Sequence, residues 1–386
     1  MKIKLKRGRL IALIIVAALI TALFILRNSV WVCEYVFARG VFRGYQFVVG
    51  RITSILPFSF YELFVLIAII AGLILFTLLI IKIVKKDWNK VLNGLIAAIL
   101  TVASVILLYT MTAVMNYNRL PVPLETYEGE AKREDIVAIA EYFANDYSAI
   151  AESLDRDENG DVICPYSDRA LAKKMQQEFQ RLKSPYFNTF TPVAKTMVTS
   201  EFMSHNRLLG VYFSPTGEAN INKNMPNADK PYTMAHELAH SIGIMREGDA
   251  NLIAAYITLT SKDDYIRYSG YFNTFYSIRT MVLFMYGETS EEYLGINDMM
   301  SAKIWEDHDY NSDYWSKYQS VIDRVSEFFN DTYLKIMGQS EGTGSYDDSY
   351  DYGIIETGEI NEQGERIYEI DLSDVMRIYL DIYYNG

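Results

Sequence analysis

Cysteine and histidine are both scarce in this chain of 386 residues, which has two of the first and four of the second. Two cysteines, Cys33 and Cys164, are too few for a disulfide framework, and they show no C-x-x-C spacing. Two independent thiols are therefore the favoured interpretation, and a single long-range disulfide between them is the alternative.

Acidic residues are scarce in the first part of the chain and abundant in the rest. Up to residue 90 there are thirteen Lys/Arg and three Asp/Glu, whereas 23 Lys/Arg and 45 Asp/Glu follow. The formal net charge of the whole chain is −12. A surface this acidic repels nucleic acid, so we expect no nucleic-acid partner.

Charged residues are nearly absent from three stretches within residues 1–116. These stretches cover about residues 10–26, 62–84 and 91–114, and their lengths match the roughly 17–25 apolar residues of a membrane-crossing helix. The first stretch is longer than the core of a cleaved signal peptide and is followed by bulky residues, which favours a retained anchor. We predict a membrane domain over residues 1–116, with the lipid bilayer as a partner.

The basic residues around these stretches indicate an orientation. One group precedes the first stretch, and another lies between the second and third: Lys2, Lys4, Lys6, Arg7 and Arg9, then Lys82, Lys85, Lys86 and Lys90. The positive-inside rule places both groups in the cytoplasm and everything after residue 116 outside. Residues 27–61 carry four arginines of their own, and the aromatic run "VWVCEYVFARGVF" predicts an amphipathic segment at the outer interface.

The remaining chain is predicted to be an α+β domain that is mostly helical, over residues 133–386, after a Pro-containing linker at 117–132. Valine, threonine and aromatic residues predict short strands within 191–200 and 206–224. Helical periodicity predicts helices over 133–154, 168–183, 263–286, 290–307 and 311–338.

The stretch "TMAHELAHSIG" carries the recognisable chemistry. His236 and His240 are four residues apart and so share one helix face, where both can bind one tetrahedral metal ion. Glu237 comes next to the first histidine, near the metal but not on it, which suits a base that takes a proton from zinc-bound water. Met234, Leu238 and Ile242 give the helix an apolar face for burial. The alternative interpretation is a core helix with this pattern by accident.

A third ligand is expected shortly after the histidines. Arg246 stands where a three-histidine site needs its last histidine, so we expect an acid instead, Glu247 or Asp249. Glu247 is favoured because Asn251, four residues later on the same helix, can then orient a histidine. The other interpretation is that both acids only stabilise a helix N-terminus. Gly243 leaves three residues before Arg246, which requires a sharp turn.

Two further features have weaker signals. The stretch "LLGVYFSPTGEANIN" is either an edge strand that pairs with an extended peptide or an ordinary core strand. Sequence spacing does not locate the residues that would donate hydrogen bonds to a transition state. The candidates for this role are His205, His308, Arg246 and Tyr256.

The chain resembles a family of bacterial membrane proteins of unknown function, in which three N-terminal spans precede a zincin-like domain. The matching stretches are "LPFSFYELF", "TGEANIN", "PYTMAHELAHSIGIMREGDAN" and "NDTYLKIMGQSEGTGSY". The run R-E-x-x-A-N also resembles the third-ligand helix of membrane-bound CAAX-processing and heat-shock peptidases, and of anti-repressor-cleaving peptidases. The resemblance implies His236, His240 and Glu247 as Zn²⁺ ligands of a gluzincin-type site, with Glu237 as the catalytic base.

The function expected from these features is a zinc metallopeptidase in the bacterial plasma membrane. Its catalytic domain faces outward and cleaves a peptide or protein substrate, with Glu237 activating a zinc-bound water. The alternative is a membrane sensor or scaffold whose zinc site is structural or vestigial.

Overall fold

The computed structural model is mostly helical, which confirms that part of the predicted fold class. It describes residues 5–124, 126–129, 131–350, 353–360 and 366–385, with only the backbone described at 353–360 and 366–370. Lys2 and Lys4, two of the residues behind the predicted orientation, lie outside the described residues.

Three helices near the N-terminus are long and apolar enough to cross a membrane, as predicted. They are α1 (Arg7–Leu26), α3 (Phe60–Val84) and α4 (Trp88–Thr112), and a 3₁₀ segment, Val114–Asn118, extends the last one. Between α1 and α3 the chain forms a π-helical segment, Val32–Phe42, and α2 (Arg43–Ile55).

The first and third of these helices lie side by side and run in the same direction. Near their N-termini, the Lys6 backbone N–H donates to Asn93 Oδ1 across 2.7 Å. Towards their C-termini, Leu23 packs in one apolar cluster with Leu107 and Met115. A parallel pair is the arrangement expected when α3 crosses the bilayer in the opposite direction between them.

The aromatic segment after α1 is helical, but one side of it is buried rather than lying on a surface. Cys33, Glu34 and Phe42 are fully buried, whereas Trp31 and Tyr35 are exposed. The Glu34 carboxylate accepts two hydrogen bonds from the Arg119 guanidinium, at 2.9 and 3.1 Å. An ion pair buried this completely joins the π-helical segment to the chain that leaves the third span.

The two cysteines are free thiols, as the favoured interpretation expected. The Cys33 thiol donates to the Arg27 carbonyl, and the Cys164 thiol donates to the Tyr166 carbonyl.

The rest of the described chain forms two small sheets within a set of helices. The helices are α5 (Arg133–Ser153), α6 (Asp168–Glu178), α7 (Ser200–His205), α8 (Lys230–Ser241), α9 (Glu247–Leu259), α10 (Asp264–Tyr286), α11 (Glu291–Met299), α12 (Ala302–Ser316), α13 (Val321–Met337) and α14 (Asp374–Asn385). The strands are β1 (Lys195–Thr196), β2 (Gly210–Phe213), β3 (Glu218–Ile221), β4 (Gly353–Ile360) and β5 (Arg366–Asp371).

In the first sheet the strand order is β1-β3-β2, so β3 is central. It pairs in parallel with β1 and antiparallel with β2, with Gly210 opposite Ile221 and Phe213 opposite Glu218. Strands β4 and β5 form an antiparallel pair.

Two predicted helix boundaries are wrong, and serine side chains explain why. The predicted helix 290–307 is interrupted because the Ser301 side chain accepts a hydrogen bond from Lys303 N–H and begins α12. The predicted helix 311–338 is interrupted because Ser320 and Asp323 form a capping box that begins α13. Gly338 ends α13 with a φ of 106°, a conformation that favours glycine.

Helix α8 lies at the centre of the region that follows the three candidate spans. Its side chains from Pro231 to Ser241 are all buried, and it packs against α9, α10 and the first sheet. Met234, Leu238 and Ile242 belong to the main apolar core, as their spacing predicted. Any chemistry on this helix is therefore held by a rigid, closely packed support.

Candidate metal centre

The two histidines of α8 and the first acid of α9 meet in a small space. The Nε2 atoms of His236 and His240 are 3.0 Å apart. Glu247 Oε2 lies 3.2 Å from the first and 3.4 Å from the second. The three residues are 9%, 8% and 6% exposed, so water is largely excluded from between them.

A sharp turn brings Glu247 back to the histidines, as the short spacing required. Gly243 has a φ of 93°, which L-residues rarely adopt. A Cβ there would meet the Phe42 ring at 3.0 Å and the Arg119 guanidinium at 3.2 Å. Helix α9 then begins at Glu247, one residue after Arg246. The glycine thus permits both the reversal and the close approach of the membrane-proximal chain.

Hydrogen bonds at the far side of each ring fix the histidine tautomers. His240 Nδ1 lies 2.7 Å from the Ile244 carbonyl, which can only accept. His236 Nδ1 lies 2.7 Å from Asn251 Oδ1, and Asn251 Nδ2 donates to the Tyr346 carbonyl. Both Nδ1 atoms therefore carry a proton, so each ring in its neutral form presents a bare Nε2 lone pair to Glu247.

Electrostatics in the cluster favour a positive charge among the three atoms. Burial raises the pKa of Glu247, but the two histidines outweigh it and hold that pKa at about 2. Burial lowers the pKa of His240, and the Glu247 carboxylate outweighs it and raises that pKa to about 9. Three lone pairs within 3.4 Å repel one another unless a proton or a metal ion lies between them.

The distances suit one tetrahedral metal ion. Ligand atoms about 2.0–2.1 Å from Zn²⁺ at tetrahedral angles are about 3.3 Å apart. The three observed separations of 3.0, 3.2 and 3.4 Å surround that value. Within the part of the chain that the structure describes, the buried Glu247 Oε2 atom has no hydrogen-bond partner, and a bound cation would satisfy it. Two imidazole nitrogens and one carboxylate oxygen fit Zn²⁺ as a donor set.

Glu237 is buried beside this cluster without joining it. Its Oε2 atom has no hydrogen-bond partner among the described residues. Burial raises the pKa of its carboxyl to about 7. The carboxylate lies against Gly210 on β2, where a Cβ would collide with it. The Glu237 carboxylate therefore fits in this position because residue 210 is a glycine.

Asp249, the other candidate ligand, points elsewhere. Its Oδ2 atom lies 2.6 Å from both Nε and Nη2 of Arg246. Among the described residues, the group of acids and histidines close enough to hold one metal ion consists of His236, His240 and Glu247.

A cavity of about 180 Å³ adjoins the three ligand candidates and Glu237. Strand β2 forms one wall through residues 210–212, and the C-terminal part of the third span contributes Tyr109 and Tyr117. Helix α13 supplies Asn330 and Tyr333, and a 3₁₀ segment supplies Tyr346. The cavity therefore lies between the helical region that follows the spans and the C-terminal end of the third candidate span.

The donors expected from the sequence do not line this cavity. His308 stacks on Phe272, the exposed His205 lies beside Glu201, and Arg246 pairs with Asp249. Tyr256 is not among the lining residues either. Tyrosine side chains line it instead, among them Tyr333 and Tyr346. Burial raises the pKa of Tyr333 and of Tyr346, so both are protonated donors at neutral pH.

These features define a mostly helical chain with three candidate membrane spans and a buried cluster of two histidines and a glutamate. The model of a family described as "Protein of unknown function (DUF3810)" matches residues 37–353, and the chain belongs to that family. The match confirms the resemblance to a family of unknown function. No curated protein and no solved structure matches the chain.

Proposed function

We propose that this protein is an integral-membrane zinc metallopeptidase with a zincin-like, outward-facing catalytic domain. The observation that carries the proposal is the convergence of His236 Nε2, His240 Nε2 and Glu247 Oε2 within 3.4 Å of one another. Bound Zn²⁺ supplies a Lewis acid there that polarises a peptide carbonyl and lowers the pKa of water.

Glu237 takes the role of general base. Its carboxylate is buried, its Oε2 atom lacks a hydrogen-bond partner among the described residues, and it lies on the helical turn that carries both histidines. A free carboxylate in a dry site is a strong proton acceptor, so Glu237 removes the proton from the attacking water. It then passes that proton to the leaving amine, which completes hydrolysis with no other reactant.

Strand β2 is the proposed platform for the substrate. It is at the edge of its sheet, paired with β3 on one side, and residues 210–212 line the cavity. An extended peptide can therefore add to β2 by main-chain hydrogen bonds, which brings a peptide carbonyl to the cavity. Tyr333 and Tyr346 provide protonated hydroxyls that stabilise charge on that carbonyl oxygen.

Residues 7–118 anchor the site in the plasma membrane. The basic residues Arg7, Arg9, Lys82, Lys85 and Lys86 lie around the N-termini of α1 and α4, and the positive-inside rule puts those ends in the cytoplasm. The metal cluster then faces the outside.

The test uses the full chain in detergent with measured zinc content and peptide hydrolysis. Wild-type protein should hold one zinc per chain. It should also cleave some peptides of a mixed library, and mass spectrometry detects the products. His236→Ala should lose the zinc and the cleavage. Glu237→Gln should keep the zinc and lose the cleavage. Equal zinc in wild type and His236→Ala would overturn the site, and equal cleavage by Glu237→Gln would overturn the mechanism.

A sensor or scaffold with a structural zinc site is the second candidate. The small size of the cavity favours it, since about 180 Å³ is below the roughly 300 Å³ of typical ligand pockets. In that case removal of zinc by a chelator unfolds the protein, and no peptide in the library is cleaved by wild type.

A further inference from the structure

Helix α13 has a strongly apolar face that points away from the protein. Six large apolar side chains on it are exposed: Val321, Ile322, Val325, Phe328, Phe329 and Ile336. Phe328 and Phe329 are 64% and 65% exposed, which is unusual for phenylalanine beside water. At 100° per residue the six positions fall within one continuous arc of the helix surface.

The opposite side of the same helix faces the metal cavity. Asn330 and Tyr333 line that cavity, and Leu334 and Met337 are buried. Charged residues occupy a third strip between the two sides: Arg324, Glu327, Asp331 and Lys335. The helix therefore has a protein side, a polar strip and an apolar outer face.

Contacts with two membrane spans fix the level of the C-terminal end of α13, at residues 333–337. The Arg27 guanidinium, directly after α1, donates to the Ile336 carbonyl across 3.3 Å. The Tyr333 hydroxyl is hydrogen-bonded to Tyr109 of α4, and it lies 3.0 Å from the Tyr117 hydroxyl. Met337 packs with Ala113 and Val114 at the end of the third span.

The position of Tyr109 along α4 shows how deep in the bilayer α13 contacts this span. Tyr109 follows Trp88, the first residue of α4, by 21 positions. At 1.5 Å per residue this is about 30 Å, the thickness of the hydrocarbon core of a bilayer. Tyr109 is therefore at the outer boundary of the hydrocarbon when Trp88 is at the inner one. Trp31, a residue type enriched at such boundaries, is exposed near the outer end of the first span.

We propose that the apolar face of α13 inserts into the outer leaflet of the bilayer, with lipid hydrocarbon as its partner. An amphipathic helix at this level buries its apolar face about 5–10 Å into the boundary between headgroups and acyl chains. The C-terminal end of the helix that carries this face contacts the spans through Arg27, Tyr109 and Met337. Helix α13 is then the wall between the lipid and the metal cavity. The proposal does not depend on hydrolysis or on zinc.

The test is spin labelling of the full chain in phosphatidylcholine vesicles. The two native cysteines are replaced (Cys33→Ala, Cys164→Ser), and a nitroxide is attached through Phe328→Cys or, as the matched control on the neighbouring charged strip, Glu327→Cys. Collisions with oxygen, which concentrates in lipid, are compared with collisions with a water-soluble nickel chelate. The label at residue 328 should favour oxygen, and the label at residue 327 should favour the chelate.

Three results would overturn the proposal. One is an equal preference at both positions, and another is a preference for the chelate at residue 328. The third is dipolar broadening at residue 328 that disappears on dilution with unlabelled protein, which would mean that a second copy covers the face. If either labelled variant is unstable, Val325→Cys and Arg324→Cys repeat the comparison one turn earlier. Zinc content and peptide cleavage are measured separately, so failure here leaves the proposed function unaffected.

Discussion

The His236 imidazole donates a hydrogen bond from Nδ1 to Asn251 Oδ1 across 2.7 Å, and Asn251 donates in turn to the Tyr346 carbonyl. This chain of bonds sets both the tautomer and the orientation of the ring whose Nε2 faces Glu247. It connects α8, α9 and a segment almost one hundred residues further along the sequence.

Asn251→Ala should weaken zinc binding by about 10–100-fold, because removal of a group that orients a ligand typically has that effect. The measurement is zinc affinity by competition with a chromogenic chelator, on the full chain in detergent. Asn220→Ala is the matched control, since Asn220 is also buried but donates to the Val211 and Glu218 carbonyls. Equal affinities of the two variants would show that the Asn251 contact does not support the metal.

Gly210→Ala should abolish most hydrolysis and leave the zinc in place. A Cβ at residue 210 occupies the position of the Glu237 carboxylate, so the flexible acid must turn away from the cavity. Loss of a general base costs about 10²–10⁴-fold in rate. Gly295→Ala is the control, because nothing lies within 4 Å of a Cβ there. Unchanged cleavage by Gly210→Ala would contradict the assigned role of Glu237.

Glu34→Ala should lower the free energy of unfolding by about 3–5 kcal/mol, because it leaves the buried Arg119 charge without its partner. Arg119 is 4% exposed and Glu34 is fully buried. Thermal unfolding in detergent measures the loss. Lys335→Ala breaks an exposed pair with Asp331 and should change stability by less than about 1 kcal/mol. Similar melting temperatures for the two variants would contradict the importance of the buried pair.

Asp229→Asn should stabilise the protein, and the gain should grow with pH. Burial raises the pKa of Asp229 from 3.8 to about 7. Between these values the native state binds more protons than the unfolded chain, so the free energy of unfolding falls as pH rises, by up to about 1.4 kcal/mol per unit. Asparagine carries no such charge. Melting temperatures from pH 5 to 8 test this, with the exposed Asp313→Asn as control. If the melting temperatures of wild type and Asp229→Asn differed by the same amount at every pH, the raised pKa of Asp229 would be contradicted.

The sequence predicted those structural features that are determined by residues close together in the chain. The three apolar spans, the pairing of His236 with His240 and the reversal at Gly243 are encoded within a few turns of chain. The cavity tyrosines escaped prediction because Tyr109, Tyr212 and Tyr333 are separated by more than one hundred residues each and meet only through packing. The Glu34–Arg119 pair escaped for the same reason, since nothing near either residue indicates its partner.

The hydrogen bond between Tyr333 and Tyr109 ties one wall of the cavity to a transmembrane helix. Because this helix crosses the bilayer, the bond keeps the cavity at a nearly constant distance from the bilayer centre. For a peptidase of the proposed kind, this distance selects the bond to be cut. A membrane-anchored substrate of such a peptidase would present only the few residues next to its own span, so the position of cleavage would depend on distance from the lipid.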